Sequence, residues 1–389
     1  MLNDEQIENI LYPYAKRQEE FSLSVINIIA NRISRLADFD KLDPLNKVAT
    51  MQRDIRLIED EYNSFRRDQK KRIKKDWWWI VEYIYGEGLL FYETQLALAQ
   101  NEEIIELTNR MINEAQGSFT ALTDSPVITM RSLSNPSYMQ NYNLQSAYRS
   151  VINEARSYSN VSENLFDVAM QKTESQLFDS GVRYEVNGNS QSAVRAVRFN
   201  VLESIKNLIQ RVQDTMGKQF GADGVELSAH VAPAPDHAPA QGHQFTFENR
   251  DKMQSGEDFE DIQGNHYIGF ERQIYQYNCR HYFMNIKIGK KEPEYTQEQL
   301  DKILEDNERG YTTPRGKHYT LYECSQIQRR YERKIRQAKE KYLFSKSLGK
   351  QADMFTSRNR VGSLTTQYKQ FSRLCGLPAK LERIRVKDY

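Results

Sequence analysis

No proline occurs between Pro44 and Pro126 or between Pro136 and Pro233, and 15 of the 18 glycines lie after residue 180. Long helices are permitted where the breakers are missing. From Ile7 the apolar positions Leu11, Tyr14, Phe21, Val25, Ile28 and Leu36 follow a 3-4 spacing, which predicts a helix to about Leu36 that Pro13 either kinks or starts. Asp43-Pro44 reads as the cap and first residue of a second helix. Its stripe of Val48, Met51, Ile55, Ile58, Tyr62 and Phe65 makes it a hairpin partner of the first. The mostly basic stretch Arg66 to Lys75 then runs into Trp77-Trp78-Trp79. Leu96 to Ala115 and Leu144 to Phe178 look helical, with Gly117 to Pro136 as a Ser/Thr/Pro-rich connection. Tyr184 to Asn189 holds the Asn187-Gly188 signal of a short hairpin, and a further helix covers Ser192 to Lys218. Residues 1–220 thus read as an elongated, all-helical domain.

At Gly221-Ala222-Asp223-Gly224 glycine, proline and histidine become frequent and alternation replaces the helical period. Val225, Leu227 and Ala229 alternate with Glu226, Ser228 and His230, a strand with His230 on its polar face. Pro233 to Gly242 holds three prolines and must be loop, and Asn278 to Ile288 is the second strand candidate. Residues 221–295 form this α+β module. From Thr296 the chain turns helical again, is broken around Gly310 to Lys317, and continues as Tyr322 to about Leu348 and Ser363 to Cys375. The fold class expected is mainly α with a smaller α+β module: a long helical N-terminal half, a mixed module containing His and Cys, and a basic helical arm over 296–389.

The net charge is only +1, with 54 Lys/Arg against 53 Asp/Glu, so there is no global argument for a nucleic-acid or membrane partner. Locally the balance differs. Residues 329–389 carry 17 Lys/Arg and 5 Asp/Glu, a net of +12. With 39% apolar and 28% charged residues the composition suits long amphipathic helices of modest burial. No run of apolar residues is long enough to span a membrane. The first residues lack the basic and apolar regions of a secretory signal, which places synthesis in a cytoplasm. Cys279, Cys324 and Cys375 are too few and too scattered for a disulfide framework.

The sharpest chemical feature is Ser228-Ala229-His230, Pro235-Asp236-His237 and Gln241-Gly242-His243, followed by Asn278-Cys279-Arg280-His281. Zinc is held by imidazole nitrogen and thiolate sulfur in a tetrahedron, so His230, His237, Cys279 and His281 make a chemically complete structural site. On a strand Cys279 and His281 share a face. The spacing is not a standard zinc signature, and a metal-free module with hydrogen-bonded histidines is the plainer account. The same residues admit an enzymatic reading, with Cys279 as thiolate and His230 or His237 as base. No nucleophile motif surrounds Cys279, however, and phosphate-binding loops, dinucleotide turns, H-E-x-x-H and G-x-S-x-G are missing. Trp77, Trp78 and Trp79 present either a docking surface or two buried rings and one covering ring. The basic residues Arg329, Arg330, Arg333, Lys334 and Arg336, with Tyr322, Tyr331, Tyr342, Tyr368 and Phe371 interleaved, suit contact with DNA phosphates or a solvated helix face.

These motifs, in this order, resemble the phage minor capsid protein 2 family, itself distantly similar to Mu F-like head-morphogenesis proteins. The resemblance rests on Gly224 to His230, on Pro235-Asp236-His237-Ala238-Pro239 through Gln241-Gly242, and on Asn278-Cys279-Arg280-His281-Tyr282. It continues through Gln328 to Arg336 and Gln367-Tyr368-Lys369-Gln370-Phe371. Ala234 and Ala240 stand where the family carries an arginine and a tryptophan. The resemblance implies a minor structural protein of the virion, inside the head near the portal, that assists head assembly and DNA packaging or delivery. Its implied partners are the portal or major capsid protein and, without sequence preference, the packaged double-stranded DNA. A metal-dependent or thiol hydrolase acting in virion maturation or DNA entry is the alternative.

Overall fold

A computed structural model of the chain describes residues 4–35, 38–39, 41–88, 102–131, 139–159, 182–186, 189–219, 221–274, 279, 281–347, 349–386 and 389. The described chain is mainly α with a smaller α+β module. Helix α1 (Asp4–Ser34) continues through Pro13. Helix α2 (Pro44–Gly88) is 45 residues long, roughly 68 Å at 1.5 Å per residue. Its start is fixed by Asp43, whose carboxylate accepts the amides of Leu45 and Asn46 at 3.0 Å each, with Pro44 at the first helical position, where no amide is needed. Arg32 bonds Asp54, Arg17 bonds Glu61, and Gln69 donates to the Tyr14 carbonyl. Falling numbers on α1 thus meet rising numbers on α2, as an antiparallel hairpin requires.

Helix α3 (Glu102–Thr123) runs past Gly117, where the expected connection would have begun. The glycine faces open space, and the buried stripe Ile104, Met111, Ala115 and Phe119 carries the helix over it. Strand β1 (Val127–Arg131) follows, paired with β2 (Met139–Asn143) and with β3 (Val182–Val186), which pairs with β4 (Asn189–Ser192). The resulting antiparallel sheet has the order β2-β1-β3-β4. Residues 1–220 are therefore not all-helical: Ile128, Val182 and Tyr184 are apolar enough to be drawn into the helical core, and the Tyr184 hydroxyl reaches Gln18 at 3.1 Å. The Asn187-Gly188 turn lies outside the described residues, as does the expected helix beyond Ser159, where α4 (Leu144–Ser159) is described. Helix α5 (Ala193–Gln219) covers the last expected helix of this half.

The first core gathers Tyr14, Phe21, Phe65, Trp77, Phe119 and Tyr148, with Phe21 and Phe65 stacked at 4.9 Å between ring centres. Full burial of a side chain such as Phe stabilises the fold by about 1.5–3 kcal/mol. A second core is formed by Phe245, Met253, Phe259, Phe270 and Phe283. It covers a three-stranded antiparallel sheet of order β6-β5-β9, with β5 (Gly224–Leu227) central between β6 (Gln244–Thr246) and β9 (Phe283–Ile286). All four positions of β5 are buried, Glu226 included. The expected exposed polar face is thus wrong. Three donors make burial of that carboxylate tolerable: Gln244 at 2.9 Å, the Glu294 amide at 3.0 Å and Lys291 at 3.4 Å. Helix α6 (Phe247–Ser255) and the hairpin β7 (Phe259–Glu260) and β8 (His266–Tyr267) complete the module.

Helix α7 (Gln297–Arg309) opens on a capping box between Thr296 and Gln299. After the hairpin β10 (Tyr311–Thr312) and β11 (His318–Tyr319), the chain forms α8 (Leu321–Ser347), α9 (Gln351–Leu374) and a short 3-10 turn (Leu381–Ile384). Helix α9 begins well before the expected Ser363 and carries Gly362 in its interior, facing open space. The third core joins Ile335, Ala338, Val361, Tyr368 and Ile384, while Phe344 of α8 enters the first core. Cys324 and Cys375 are both buried free thiols. No helix among the described residues is long and apolar enough to cross a membrane.

Candidate functional site

The segment between β5 and β6 is held at both ends by the sheet. The Leu227 amide donates to the His243 carbonyl at 2.9 Å and Gly242 donates back to Leu227 at 2.7 Å. Beyond β5, Ser228 donates to the Tyr282 carbonyl and receives the Tyr282 amide on its hydroxyl, both at 3.0 Å. These bonds lay residues 228–230 beside the approach to β9. Gly242 has φ +77, and a Cβ there would meet the end of the Leu300 side chain at 2.4 Å, so a side chain at this position is strained.

His237 of this loop and Cys279 and His281 before β9 are buried, and one ligand atom from each lies within 4.8 Å of the others. Cys279 Sγ is 3.5 Å from His237 Nδ1 and 3.5 Å from His281 Nδ1. The outer nitrogens are anchored: His237 Nε2 is 2.6 Å from the Arg272 carbonyl, and His281 Nε2 is 3.3 Å from Gln241 Oε1. Arg272 in turn grips Asp236 through both carboxylate oxygens. Burial raises the Asp236 carboxyl, but the Arg272 bonds and the His237 charge outweigh it and leave it below the usual range. Burial also lowers His237, and the Cys279 bond and charge more than reverse this. His281 is driven well below the ordinary imidazole value by burial, with His230 and His237 adding to the effect.

His230 does not join the ligand atoms. Its ring lies 4.2 Å from that of His281, with Nδ1 turned to the Val231 carbonyl at 3.1 Å. The expected strand ends at Leu227, so the chain turns before His230 and aims its ring across the cluster rather than into it. Cys279 and His281 likewise precede β9 and do not share a strand face. A further anchor, missed in the sequence, is Asp261. It accepts the amides of Gln263 and Asn265 at 2.9 Å, the Asn265 side chain at 2.8 Å and the Tyr267 hydroxyl at 2.9 Å, with His243 Nδ1 at 3.1 Å. The run Asp261-Ile262-Gln263-Gly264-Asn265 is the local signal for such an Asx-type turn.

A second feature is a cleft of about 750 Å³ between α1, α5 and the α8–α9 arm, lined by 13 Lys/Arg and 5 Glu. Some of the charge is used internally. Glu8 takes Arg198 at 2.7 Å and Arg383 at 2.8 Å, and Glu19 takes Arg336 at 3.5 Å. Arg336 also donates to the Arg383 carbonyl at 2.7 Å, so it is a clip between helices. Arg329, Arg333 and Lys334 line the cleft, and Arg330 is exposed beside it. Part burial and the neighbouring Arg195, Arg336 and Arg330 hold the Arg333 guanidinium below its usual value. Of the three tryptophans, Trp77 is fully buried, Trp78 packs partly on the first core, and Trp79 is exposed and stacked on Tyr83. Trp77 therefore belongs to the core and not to a docking face.

A helical scaffold with a small anchored module and a basic cleft fits the class that sequence comparison defines, a structural protein of a phage head. The family described as phage minor capsid protein 2 matches residues 3–372, and the chain belongs to that family. No curated protein and no solved structure matches it.

Proposed function

We propose that the protein works inside the phage head near the portal, assisting head assembly and the packaging or delivery of DNA. In this reading the helical half contacts the portal or major capsid protein, and the cleft and basic arm face the packaged duplex. The observation that carries the DNA contact is the group Arg195, Arg330 and Arg333, brought together from α5 and α8 with no ion-pair partner among the described residues. Like charges so gathered repel, and phosphate oxygens relieve the repulsion while releasing counterions. Such contact reads no sequence.

The test is binding of the full chain to a short duplex across a salt series. The expected result is affinity that falls steeply with salt and is the same for unrelated sequences. Arg195→Ala and Arg333→Ala should each reduce the salt slope by about one. A slope near zero, or one untouched by both substitutions in a folded chain, overturns the DNA-facing assignment.

A further inference from the structure

The proton positions around Cys279 follow from groups whose roles are fixed. The Arg272 carbonyl can only accept, so His237 Nε2, 2.6 Å away, carries a hydrogen, and in the neutral ring Nδ1 is a bare lone pair. The His230 backbone amide can only donate, and it points at Gln241 Oε1 from 3.2 Å. The Gln241 side chain is thereby oriented with its oxygen inward, so His281 Nε2 must be the donor to that oxygen. His281 Nδ1 is then also a bare lone pair.

Two imidazole lone pairs therefore face one sulfur, each at 3.5 Å. A thiol has a single proton and can satisfy only one of them. The other lone pair would be left against a sulfur lone pair in a site where His237 and His281 are each 1% exposed, an arrangement that is costly when buried. A cation at the centre of the three atoms satisfies all of them at once. The separations also fit. Tetrahedral bonds of about 2.3 Å to sulfur and about 2.0–2.1 Å to nitrogen place S and N ~3.5 Å apart, the spacing found on both sides of Cys279.

We propose that His237 Nδ1, Cys279 Sγ and His281 Nδ1 bind one zinc-class divalent ion, with the fourth position left to an exogenous donor. His230 lies outside the ligand set, and Gln241 and the Arg272 carbonyl orient the two imidazoles from behind. One thiolate with two imidazoles is the donor set of a borderline metal such as zinc and a poor one for magnesium or calcium. Binding releases the thiol proton to solvent, and the ion takes the freed sulfur lone pair. The ion would tie the loop after β5 to the strand approach before β9, adding to the Ser228–Tyr282 bonds. This inference does not depend on the DNA-facing reading.

The test uses the purified full chain, stripped with chelator and titrated with zinc and, in parallel, with cobalt(II). One ion per chain is expected, with a thiolate-to-cobalt charge-transfer band, tetrahedral visible bands, and a melting temperature that rises on loading. Cys279→Ser should abolish the charge-transfer band. His237→Ala and His281→Ala should each weaken binding at least tenfold, whereas His230→Ala should keep the stoichiometry and the spectrum. Gln241→Leu, which frees His281 from its orienting acceptor, should weaken binding by roughly tenfold to a hundredfold. Absence of stoichiometric binding in the folded wild-type chain overturns the proposal even if no variant folds. So does a cobalt spectrum without a thiolate band, or a spectrum lost in His230→Ala.

Discussion

Trp77, Trp78 and Trp79 occupy successive positions of one helix, where each step of about 100° sends the side chain to a different surrounding. Trp77 is wholly enclosed, while Trp79 is 42% exposed. Trp77→Ala should cost about 3–5 kcal/mol through the cavity it leaves, and Trp79→Ala should stay within about 0.5 kcal/mol. Urea denaturation of the two variants checks the contrast, and equal losses would contradict the packing described. Asp261 makes the opposite kind of contribution, since its carboxylate is enclosed and accepts from Gln263, Asn265 and Tyr267. Burial pushes it up, yet those bonds and His243 hold it below its usual 3.8. A depressed carboxyl stabilises the fold above its unfolded value and loses that contribution as pH falls through the folded one. Asp261→Ala should therefore lower the melting temperature at neutral pH and narrow its gap to wild type in acid. A gap that stays constant would show that the carboxylate charge contributes nothing.

At the level of elements, the helices are the legible part, because missing prolines and a 3-4 stripe act over many residues. The α1–α2 hairpin is visible that way, but the ties across it are not. Asp54 accepts Arg32 at 2.7 Å and the Tyr148 hydroxyl at 2.7 Å, joining α1, α2 and α4 in one buried contact. Removing it leaves Arg32 nearly buried and uncompensated, so Asp54→Ala should cost about 3–5 kcal/mol. A denaturation shift under about 1 kcal/mol would mean that solvent replaces the carboxylate. Strands are less legible. Alternation in Val225-Glu226-Leu227 suggests one wet face, whereas both faces of the strand are enclosed, and nothing local announces Gln244 and Lys291 as partners for Glu226. The His/Cys cluster is legible as a set of residue types, and His237, Cys279 and His281 do converge. His230 fails because the strand ends at Leu227, a boundary set by the turn of the chain rather than by composition. The arginine cleft is half legible: the charge of α8 shows in the sequence, but its meeting with Arg195 across the fold does not.

For the whole molecule, the join between the first helix and the C-terminal arm is a titratable one. Glu19 of α1 and Glu340 of α8 are pushed up to about 7 and about 8 from 4.5, chiefly by burial. Arg336 opposes the shift in both, and Glu19 adds to it in Glu340. Folding thus favours their protonated forms. The stability this gives is complete below the ordinary carboxylate range, declines as pH rises from there, and is gone above about 8. The melting temperature should fall across that window, and Glu340→Gln should flatten the fall; an unchanged profile would remove the coupling. This join also forms a wall of the basic cleft, so the proposed function has the helical half and the arm acting together. In this reading the protein is an internal component of the head that faces DNA. The most direct measurement is mass spectrometry of purified, DNA-filled heads before and after external protease treatment, with and without prior opening of the particle. The chain is expected to be present, protected in intact heads and digested once they are opened. Absence from purified particles, or digestion from the outside of intact ones, would contradict that position.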